Sequence, residues 1–501
     1  MHQTTSTGSS RRMMTAMFLP LFASLLSISI VNVALPAIEE SLEASSADLQ
    51  WVLSGYALAF GMALVPAGRA GDIWGRRNLF LIGVVVFGLA SLGAALAMSP
   101  LVLNTARVFM GFAAGILTPQ VIGMIQQLFS GPARGRAYGM MGTVIGVAVA
   151  AGPALGGLII DTTAADLGWR MTFLINVPVT VVALIGILLW LPKPQDDDAA
   201  ASSVGADTDA GRESTSPDGA STGNTGTEPQ GLQRLDPLGV VLLSLAVLLL
   251  MLPFIQFRSL VGGLFAVAGL LVLGIWAVWE RRLGRRHESA PMVNLKLFAL
   301  PSYTLNSMVL GLYFAGMPAI WAVVAVYVQQ GQGRGALIAG LVTLPSAVMV
   351  MLLSSRVGKA VESKGPRILV AGTITAVAAM LLLSGTAALM ATPYGSIWLM
   401  AAALGVVGIS QALIIPSAQT LSMHDVPEQM AGAAGGVAQT VQRVFTAIGI
   451  AVVTGIYFSV TADQGHQSGI VIATLVIAAL MLSSVAAAIF AAKRAAISAA
   501  E

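Results

Sequence analysis

Long apolar runs separated by short polar segments dominate the hydrophobic pattern of the chain. A helix that crosses a bilayer needs about 20 mostly apolar residues, and the pattern contains about fourteen such runs. The predicted spans lie near residues 15–36, 51–67, 79–98, 101–127, 137–160, 172–191, 237–256, 260–279, 302–328, 336–353, 368–391, 397–421, 431–459 and 468–492. The pattern therefore predicts an all-α polytopic membrane protein.

The order of the spans divides the chain into two similar groups joined by an insert. We expect an N-terminal six-helix bundle over residues 1–191 and a C-terminal six-helix bundle over residues 281–501, with two linking transmembrane helices over 236–280. Residues 192–235 are rich in Ser, Thr, Gly, Asp and Pro, so this acidic segment is predicted to be a disordered loop. Paired bundles with a site between the repeats are the architecture of secondary transporters.

Composition supports this class and excludes others. The 501 residues are 56% hydrophobic and only 10% charged, which no soluble domain of this length matches. The chain has no cysteine and four scattered histidines, so disulfides, thiolate chemistry and a histidine metal cluster are not expected. We find no nucleophile–base constellation and no phosphate-cradling loop, and we expect neither an enzyme, a cofactor, a metal nor a nucleic-acid partner.

Basic residues are distributed unequally between the two sets of loops. Loops on one face carry Arg69, Arg76, Arg77, Arg134, Arg136, Arg281, Arg282, Arg285, Arg286, Lys296, Arg356, Lys359, Lys364, Arg367, Lys493 and Arg494. Loops on the other face carry only Arg170, Arg258 and Arg334, and the first of them is acidic, with Glu39, Glu40, Glu43 and Asp48. By the positive-inside rule, both termini are predicted to be cytoplasmic in a multi-pass cytoplasmic-membrane protein.

The stretch from Gly68 to Arg77 is predicted to form a tight basic turn between the second and third spans. Its glycines allow two helix ends to approach closely, and Asp72 has basic neighbours and nearby helix N-termini as partners. Gly358–Arg367 repeats the glycine, acid, glycine and base at the same offsets in the second half. The alternative is an ordinary cytoplasmic loop that obeys the positive-inside rule.

Several ordered motifs carry a resemblance to a known family. They are Asn32-Val-Ala-Leu-Pro36, Trp51-Val-Leu-Ser-Gly-Tyr56, Gly68–Arg77, Leu103-x3-Arg107-x3-Gly111, Gly146-x5-Gly152-Pro153-x2-Gly156-Gly157 and Trp169-Arg170-x2-Phe173-x2-Asn176-Val-Pro178. With these motifs the chain resembles the major facilitator superfamily, and within it the fourteen-span drug:proton antiporters. Three positions depart from the family pattern: Ser27 replaces an expected Asp, Ile73 an Arg and Met110 a Gln.

The resemblance implies a cytoplasmic gate and a bendable helix. The implied gate residues are Gly68, Asp72, Gly75, Arg76, Arg77, Arg134 and Arg136. Asp72 is expected to latch the bundles through Arg134 or Arg136 and the N-terminus of the span that starts near Ala431. The antiporter-motif helix carries Gly146, Gly152, Pro153, Gly156 and Gly157. Its small residues are equally compatible with tight helix packing.

Only Arg107 and Arg443 are deep charges, because every carboxylate lies in a loop, a tail or a span end. A charged side chain within a membrane marks a functional site by default, although Arg107 is also compatible with a structural tie between spans four and one. Ser27, Ser29, Asn32, Asn104 and Gln120 are the polar groups available to it. The predicted substrate and coupling residues are Arg107, Asn32, Ser27, Tyr56, Gln120, Asn306, Gln411, Gln419, Gln439 and Arg443.

The resemblance and the apolar, amide-dotted spans predict a monomeric exporter of amphipathic or lipophilic small molecules that works by alternating access. Proton antiport is implied by the resemblance alone, because Ser27 supplies no titrating group. A coupling carboxylate would then lie at a span end, with Asp161, Glu39 and Glu40 as candidates, or belong to the substrate. The alternatives are a facilitator or lipid-type translocase without proton coupling, and a membrane sensor or scaffold that has lost transport.

Overall fold

The computed structural model describes residues 7–163, 165–192, 236–255, 260–286 and 291–498, and every regular element in these ranges is helical. We number the α-helices in chain order. They are α1 Thr7–Leu42, α2 Ser46–Trp74, α3 Arg76–Ala95, α4 Pro100–Leu128, α5 Gly131–Thr162, α6 Ala165–Leu174, α7 Asn176–Trp190, α8 Pro237–Ile255, α9 Leu260–Arg286, α10 Pro301–Val326, α11 Ala336–Leu389, α12 Ile397–Ser422 and α13 Ala431–Ser498. The predicted all-α fold is confirmed for these residues, whereas the acidic segment falls almost wholly outside them.

Eleven helices of the described chain are long and apolar enough to cross a membrane, and Pro237–Pro253 is a shorter apolar helix. The count of fourteen spans remains a prediction. The predicted loop at Gly358–Arg367 is wrong, because α11 stays helical from Ala336 to Leu389, although Ile338–Val361 and Ser363–Leu389 count as two separate candidate spans. Residues such as Lys359, Ala360 and Glu362 favour helix, and extending an existing helix needs no new nucleus.

The last two predicted spans are also joined. α13 runs from Ala431 to Ser498, and Gly465, with φ 81°, is non-helical inside it. A glycine adopts this left-handed conformation at little steric cost, so the chain bends there without a loop. The hydropathy pattern located the polar connection, but it did not show that the backbone continues in near-helical form.

Two large apolar clusters hold the helices together. One joins α1 to α7 with the linking helices, and it includes Phe87, Trp169 and Trp276. The other joins α10 to α13 around residues such as Tyr327 and Met380. Buried apolar side chains of this size each contribute about 1.5–3 kcal/mol relative to exposure to water. The first cluster also includes Tyr303, Ala434 and Val437 of the second half, so apolar contacts continue across the place where the halves meet.

The linking helices pack against the first half. Ser244 on α8 donates to the carbonyl oxygen of Met62 on α2 at 3.3 Å. At one end of the pair, the Trp279 indole donates to Asp236 at 2.7 Å, and Glu280 is buried beside them. A Cβ on Gly239 would lie 2.2 Å from the Asp236 carboxylate, so a larger residue there would displace that side chain.

Close backbone contact between α10 and α13 predicts a strong effect of one methyl group. A Cβ on Gly449 would lie 1.6 Å from the Ala315 carbonyl oxygen. We expect Gly449→Ala to separate the helices, at a cost of about 1–3 kcal/mol, and to lower the midpoint of thermal unfolding in detergent by several degrees. Gly455→Ala is the matched control on the same helix, since nothing lies within 4 Å of its Cβ position. Equal midpoints for the two variants would show that this contact is not needed.

Candidate functional site: a latch between the halves and a two-arginine centre

The predicted turn at Gly68–Arg77 is much shorter than the sequence indicated. α2 stays helical to Trp74, and Gly75 alone, with φ 90° and ψ 123°, separates it from α3. Such a positive φ strongly favours glycine, so Gly75 is the single residue that allows the reversal. The earlier positions of the motif lie on the last turns of α2, and Asp72 therefore has a fixed direction.

Asp72 lies at the N-terminus of α13, which belongs to the other half. Its carboxylate is 1% exposed and accepts from the backbone amides of Gly432 at 3.0 Å and Ala433 at 2.9 Å. The first amides of a helix have no partner within the helix, and the helix dipole favours an anion there. A side chain of the first half thus caps a helix of the second half.

Arg76 completes this arrangement, which we call the latch: Asp72, Arg76 and the amides of Gly432 and Ala433. Its guanidinium pairs with Asp72 at 3.0 Å and donates to the Gly123 carbonyl oxygen at 2.8 Å. It also donates across the interface to the Glu428 carbonyl oxygen. Charge-assisted bonds in a buried setting are stronger than neutral ones, so the latch ties α2, α3, α4 and α13 together.

The other basic residues expected at the gate do not contact Asp72. Arg134 donates to the carbonyl oxygens of Phe129 at 2.8 Å and Gln126 at 3.1 Å, and so fixes the turn between α4 and α5. Arg77 and Arg136 each have a buried Nε without a hydrogen-bond partner among the described residues. The expectation that Arg134 or Arg136 pairs with Asp72 was therefore wrong. Arg76, four residues after Asp72 and just past the turn at Gly75, is its basic partner.

Glycines bring the two halves into backbone contact at two places. A Cβ on Gly68 would lie 2.2 Å from the Gly432 carbonyl oxygen, and one on Gly432 would lie 2.5 Å from that of Gly68. Likewise, a Cβ on Gly135 would lie 2.1 Å from the Gly358 carbonyl oxygen, and the reverse distance is 2.2 Å. Sequence reasoning missed Gly135 and Gly432, and it identified Gly358 only as part of the repeat of the Gly68–Arg77 motif.

The glycines of the antiporter-motif helix have different neighbours. Cβ atoms would lie 2.6 Å from Val350 at Gly146, and 1.9 Å from the Ser29 hydroxyl at Gly152. Gly156 faces Ile30, whereas Gly157 has nothing within 4 Å. The side chain of Pro153 is outside the described set. These contacts fit the tight-packing interpretation: α5 uses Gly146 against the other half and Gly152 and Gly156 against α1.

Arg107 is held by backbone and hydroxyl oxygens. The side chain is 1% exposed, and its guanidinium donates to the Val52 carbonyl oxygen at 2.8 Å and to the Ser27 hydroxyl at 3.2 Å. It lies 4.4 Å from the centre of the Tyr56 ring, over its face. Among the expected polar partners, Ser27 is the one that contacts Arg107. This hydroxyl occupies the position of the expected aspartate.

Arg443 approaches the same aromatic pair from the second half. Its guanidinium lies 4.4 Å from the centre of the Phe60 ring, and the Phe60 and Tyr56 rings stack with centres 6.2 Å apart. The Nε of Arg443 is buried without a hydrogen-bond partner in the described structure. We call Arg107, Tyr56, Phe60 and Arg443 the arginine centre. No motif or spacing in the sequence pointed to Phe60.

The arginine centre has no acidic member among the described residues. Three ion pairs of the described residues lie outside the arginine centre: Asp72–Arg76, Asp166–Arg170 and Asp425–His424. Asp161, the span-end candidate for coupling, has a side chain outside the described set. The two guanidinium groups therefore share aromatic faces and neutral oxygens, without a carboxylate to balance them.

The remaining predicted residues are dispersed. Gln120 lies near the latch, where it donates to the Ala67 carbonyl oxygen at 2.8 Å. Asn306 donates to Ser302 within α10 at 2.7 Å, and Asn32 donates to the carbonyl oxygens of Ile28 and Ser29 within α1. Gln419 and Gln439 are buried and Gln411 is half-buried. Of the predicted set, the structure brings together Ser27, Tyr56, Arg107 and Arg443.

Removal of the latch charge is expected to open this end of the molecule. The chain has no cysteine, so Met124→Cys adds a single thiol to a cavity of about 280 Å³ beside the latch. We expect Asp72→Asn to raise the rate of maleimide labelling at this thiol about 10- to 100-fold. A lost charge-assisted bond is worth about 1.5–3 kcal/mol. Exposed Asp463→Asn is the control, and equal labelling in both variants would contradict the latch.

The second backbone contact predicts a similar opening from a single methyl group. Gly358→Ala places a Cβ against the Gly135 carbonyl oxygen, so the halves cannot close without displacement. We expect at least a threefold increase in labelling of Met124→Cys. Gly340→Ala on the same helix has nothing within 4 Å and is expected to leave the rate unchanged. Labelling that rises equally in both would show a general loosening of α11.

The sequence is similar to those of known transport proteins. Residues 17–450 match the family model described as Major Facilitator Superfamily. The chain is 29% identical over 449 residues to the probable actinorhodin transporter of Streptomyces coelicolor, covering 89% of this chain and 72% of that protein. It is 30% identical over 444 residues to puromycin resistance protein pur8 of Streptomyces alboniger, covering 87% and 80%.

Solved structures of two transporters have a similar arrangement of helices. The human organic anion transporter MFSD10 aligns with a TM-score of 0.62 at 14% identity, over 96% of this chain and 99% of that one. The proton:xylose symporter XylE aligns with a TM-score of 0.62 at 12% identity, over 95% of each chain. At these identities the likeness concerns the fold alone.

Proposed function

Because the chain belongs to the major facilitator superfamily, we propose that it exports amphipathic small molecules by alternating access, in exchange for protons. The latch is the observation that carries this proposal. Asp72 caps a helix of the opposite half through two amide bonds and no covalent link, so the contact can break and re-form as the halves rock. The ordered motifs support placement among the fourteen-span drug:proton antiporters.

We assign the latch to the cytoplasmic side of the cell membrane, with both termini on that side. The distribution of arginine and lysine between the loops supports this orientation. The described state, with Asp72 bound at α13, is then closed to the cytoplasm. Opening requires the carboxylate to leave the helix N-terminus, and water or another donor must then solvate it.

We propose that the substrate binds at the arginine centre, between the halves. Arg107 comes from α4 and Arg443 from α13, so movement of one half relative to the other changes their separation. Phe60 and Tyr56 supply apolar surface beside the two charges. Such a mixture suits a molecule with a polar group on a lipophilic body, and relatives named for antibiotic export and resistance support this class. The transporter acts as a monomer in this proposal.

A facilitator without proton coupling is the second candidate. The observation that favours it is the Ser27 hydroxyl in contact with Arg107 at 3.2 Å, where a titrating carboxylate was expected. A hydroxyl does not exchange protons in the physiological range, and arginine stays charged. Coupling would then need a group outside the arginine centre.

Transport into inverted vesicles separates these functions when the pH gradient and the membrane potential are set independently. For a panel of amphipathic dyes and antibiotics, we expect uptake with an acidic lumen at zero potential, and proton release from the lumen that accompanies uptake. Uptake driven by potential alone, without proton flux, would favour the facilitator. A panel with no transported member would contradict export and favour a sensor. Vesicles without the protein provide the background.

A further inference from the structure

The arginine centre contains two positive charges deep within the helical bundle. At 1.5 Å per residue, Arg443 lies about 18 Å along α13 from Ala431, and Arg107 about 10 Å along α4 from Pro100. Because α4 starts at the membrane face opposite the latch, both positions fall within a hydrocarbon layer about 30 Å thick. A charge at such a depth is unfavourable unless something compensates it.

The two guanidinium groups are compensated unequally. Arg107 has the Val52 carbonyl oxygen, the Ser27 hydroxyl and the Tyr56 ring. Arg443 has the face of Phe60, and its buried Nε lacks a partner among the described residues. Aromatic faces attract a cation, but they accept no N–H in the plane of the guanidinium group. Arg443, which is half-buried, is therefore the member whose Nε still lacks an acceptor.

Neither arginine has a carboxylate partner in the described structure. We infer that the missing acceptor comes from the substrate, and that this transporter selects amphipathic organic anions. The inference rests on the proposed export function and names its substrate class. A carboxylate or sulfonate of the substrate pairs with Arg443 by parallel N–H bonds, while Arg107 adds longer-range attraction.

An anionic substrate also explains why a serine, and not an aspartate, occupies position 27. An aspartate at that position would place a negative charge against Arg107, whose guanidinium lies 3.2 Å from the Ser27 hydroxyl. The pair would be neutral, and half of the attraction for an anion would be lost. With serine the positive charge is retained, so the departure from the family pattern is the expected one for a site that binds anions.

Export of an anion also uses the membrane potential directly. An inside-negative potential expels one negative charge with a driving force equal to about a 50-fold concentration ratio per 100 mV. Proton entry in exchange moves charge in the same direction, so both coupling schemes under the proposed function are compatible with an anionic substrate. The charge preference is thus a property of the site and not of the coupling ion.

Binding of two dyes that share the xanthene ring system tests the inference. Fluorescein at pH 8 is an anion with a carboxylate, whereas rhodamine 6G is a cation. By fluorescence polarisation with the purified full chain in detergent, we expect fluorescein to bind at least tenfold more tightly than rhodamine 6G. Arg443→Gln is expected to weaken fluorescein binding at least tenfold, and Arg443→Lys, which keeps the charge, less than Arg443→Gln.

Two further variants sharpen the test. Ser27→Asp is expected to weaken fluorescein binding severalfold and to improve rhodamine 6G binding. Simple loss of packing would weaken the binding of both dyes. Arg494→Gln removes one exposed positive charge at the end of α13 and is expected to leave both affinities unchanged. Thermal unfolding of each variant identifies any that fail to fold. If Arg443→Gln fails to fold, Arg443→Lys still tests the role of this side chain.

The results distinguish this inference from the proposed export. Equal affinity for the two dyes, tighter binding of rhodamine 6G, unchanged fluorescein affinity in Arg443→Gln, or no binding of either dye at 1 mM overturns the anion preference. Export of some other class of molecule remains open to the vesicle assay in each of those cases. Fluorescein that binds through Arg443 but is not moved by vesicles supports the anion site and contradicts export.

Discussion

The contact of Asp72 with the N-terminus of α13 is the interaction on which the arrangement of the two halves depends. The two amides it accepts from have no other helical partner, and burial makes their loss costly. Arg76 compensates the buried carboxylate and also donates to the carbonyl oxygens of Gly123 and Glu428, so this ion pair joins α2, α3, α4 and α13. Because every bond in this set is non-covalent, the same contact that stabilises closure is able to release it.

Backbone contact through glycine sets how closely the halves approach. The pairs Gly68–Gly432 and Gly135–Gly358 each leave no room for a Cβ, and each lies between helices of different halves. Without side chains at these points, the helix backbones of the two halves approach each other directly. The larger apolar cluster also crosses this boundary through residues such as Ala434 and Val437, so glycine contacts and apolar packing act together there.

The arginine centre is a second constraint on the structure, and it disfavours close packing where the latch and the glycine contacts favour it. Arg107 and Arg443 oppose burial, and their position against Tyr56 and Phe60 is tolerable only because aromatic faces and oxygens attract them. Their sites lie in different halves, so the balance of charge between the halves changes with their separation. A ligand with negative charge would relieve that imbalance, and this links recognition to the relative placement of the bundles.

The sequence by itself determined the helical membrane fold, because hydropathy is a local property, and it predicted two groups of helices, a charge at Arg107 within a span and a gate role for Asp72. It did not determine the continuous course of α11, since helix propagation overrode the polar break at Gly358–Arg367. Nor did it identify Arg76 as the partner of Asp72, or Phe60 as the link between the arginines. Those contacts depend on side-chain direction and on packing between residues far apart in the chain, as Asp72 and Gly432 are at 360 positions, and only the tertiary structure fixes these.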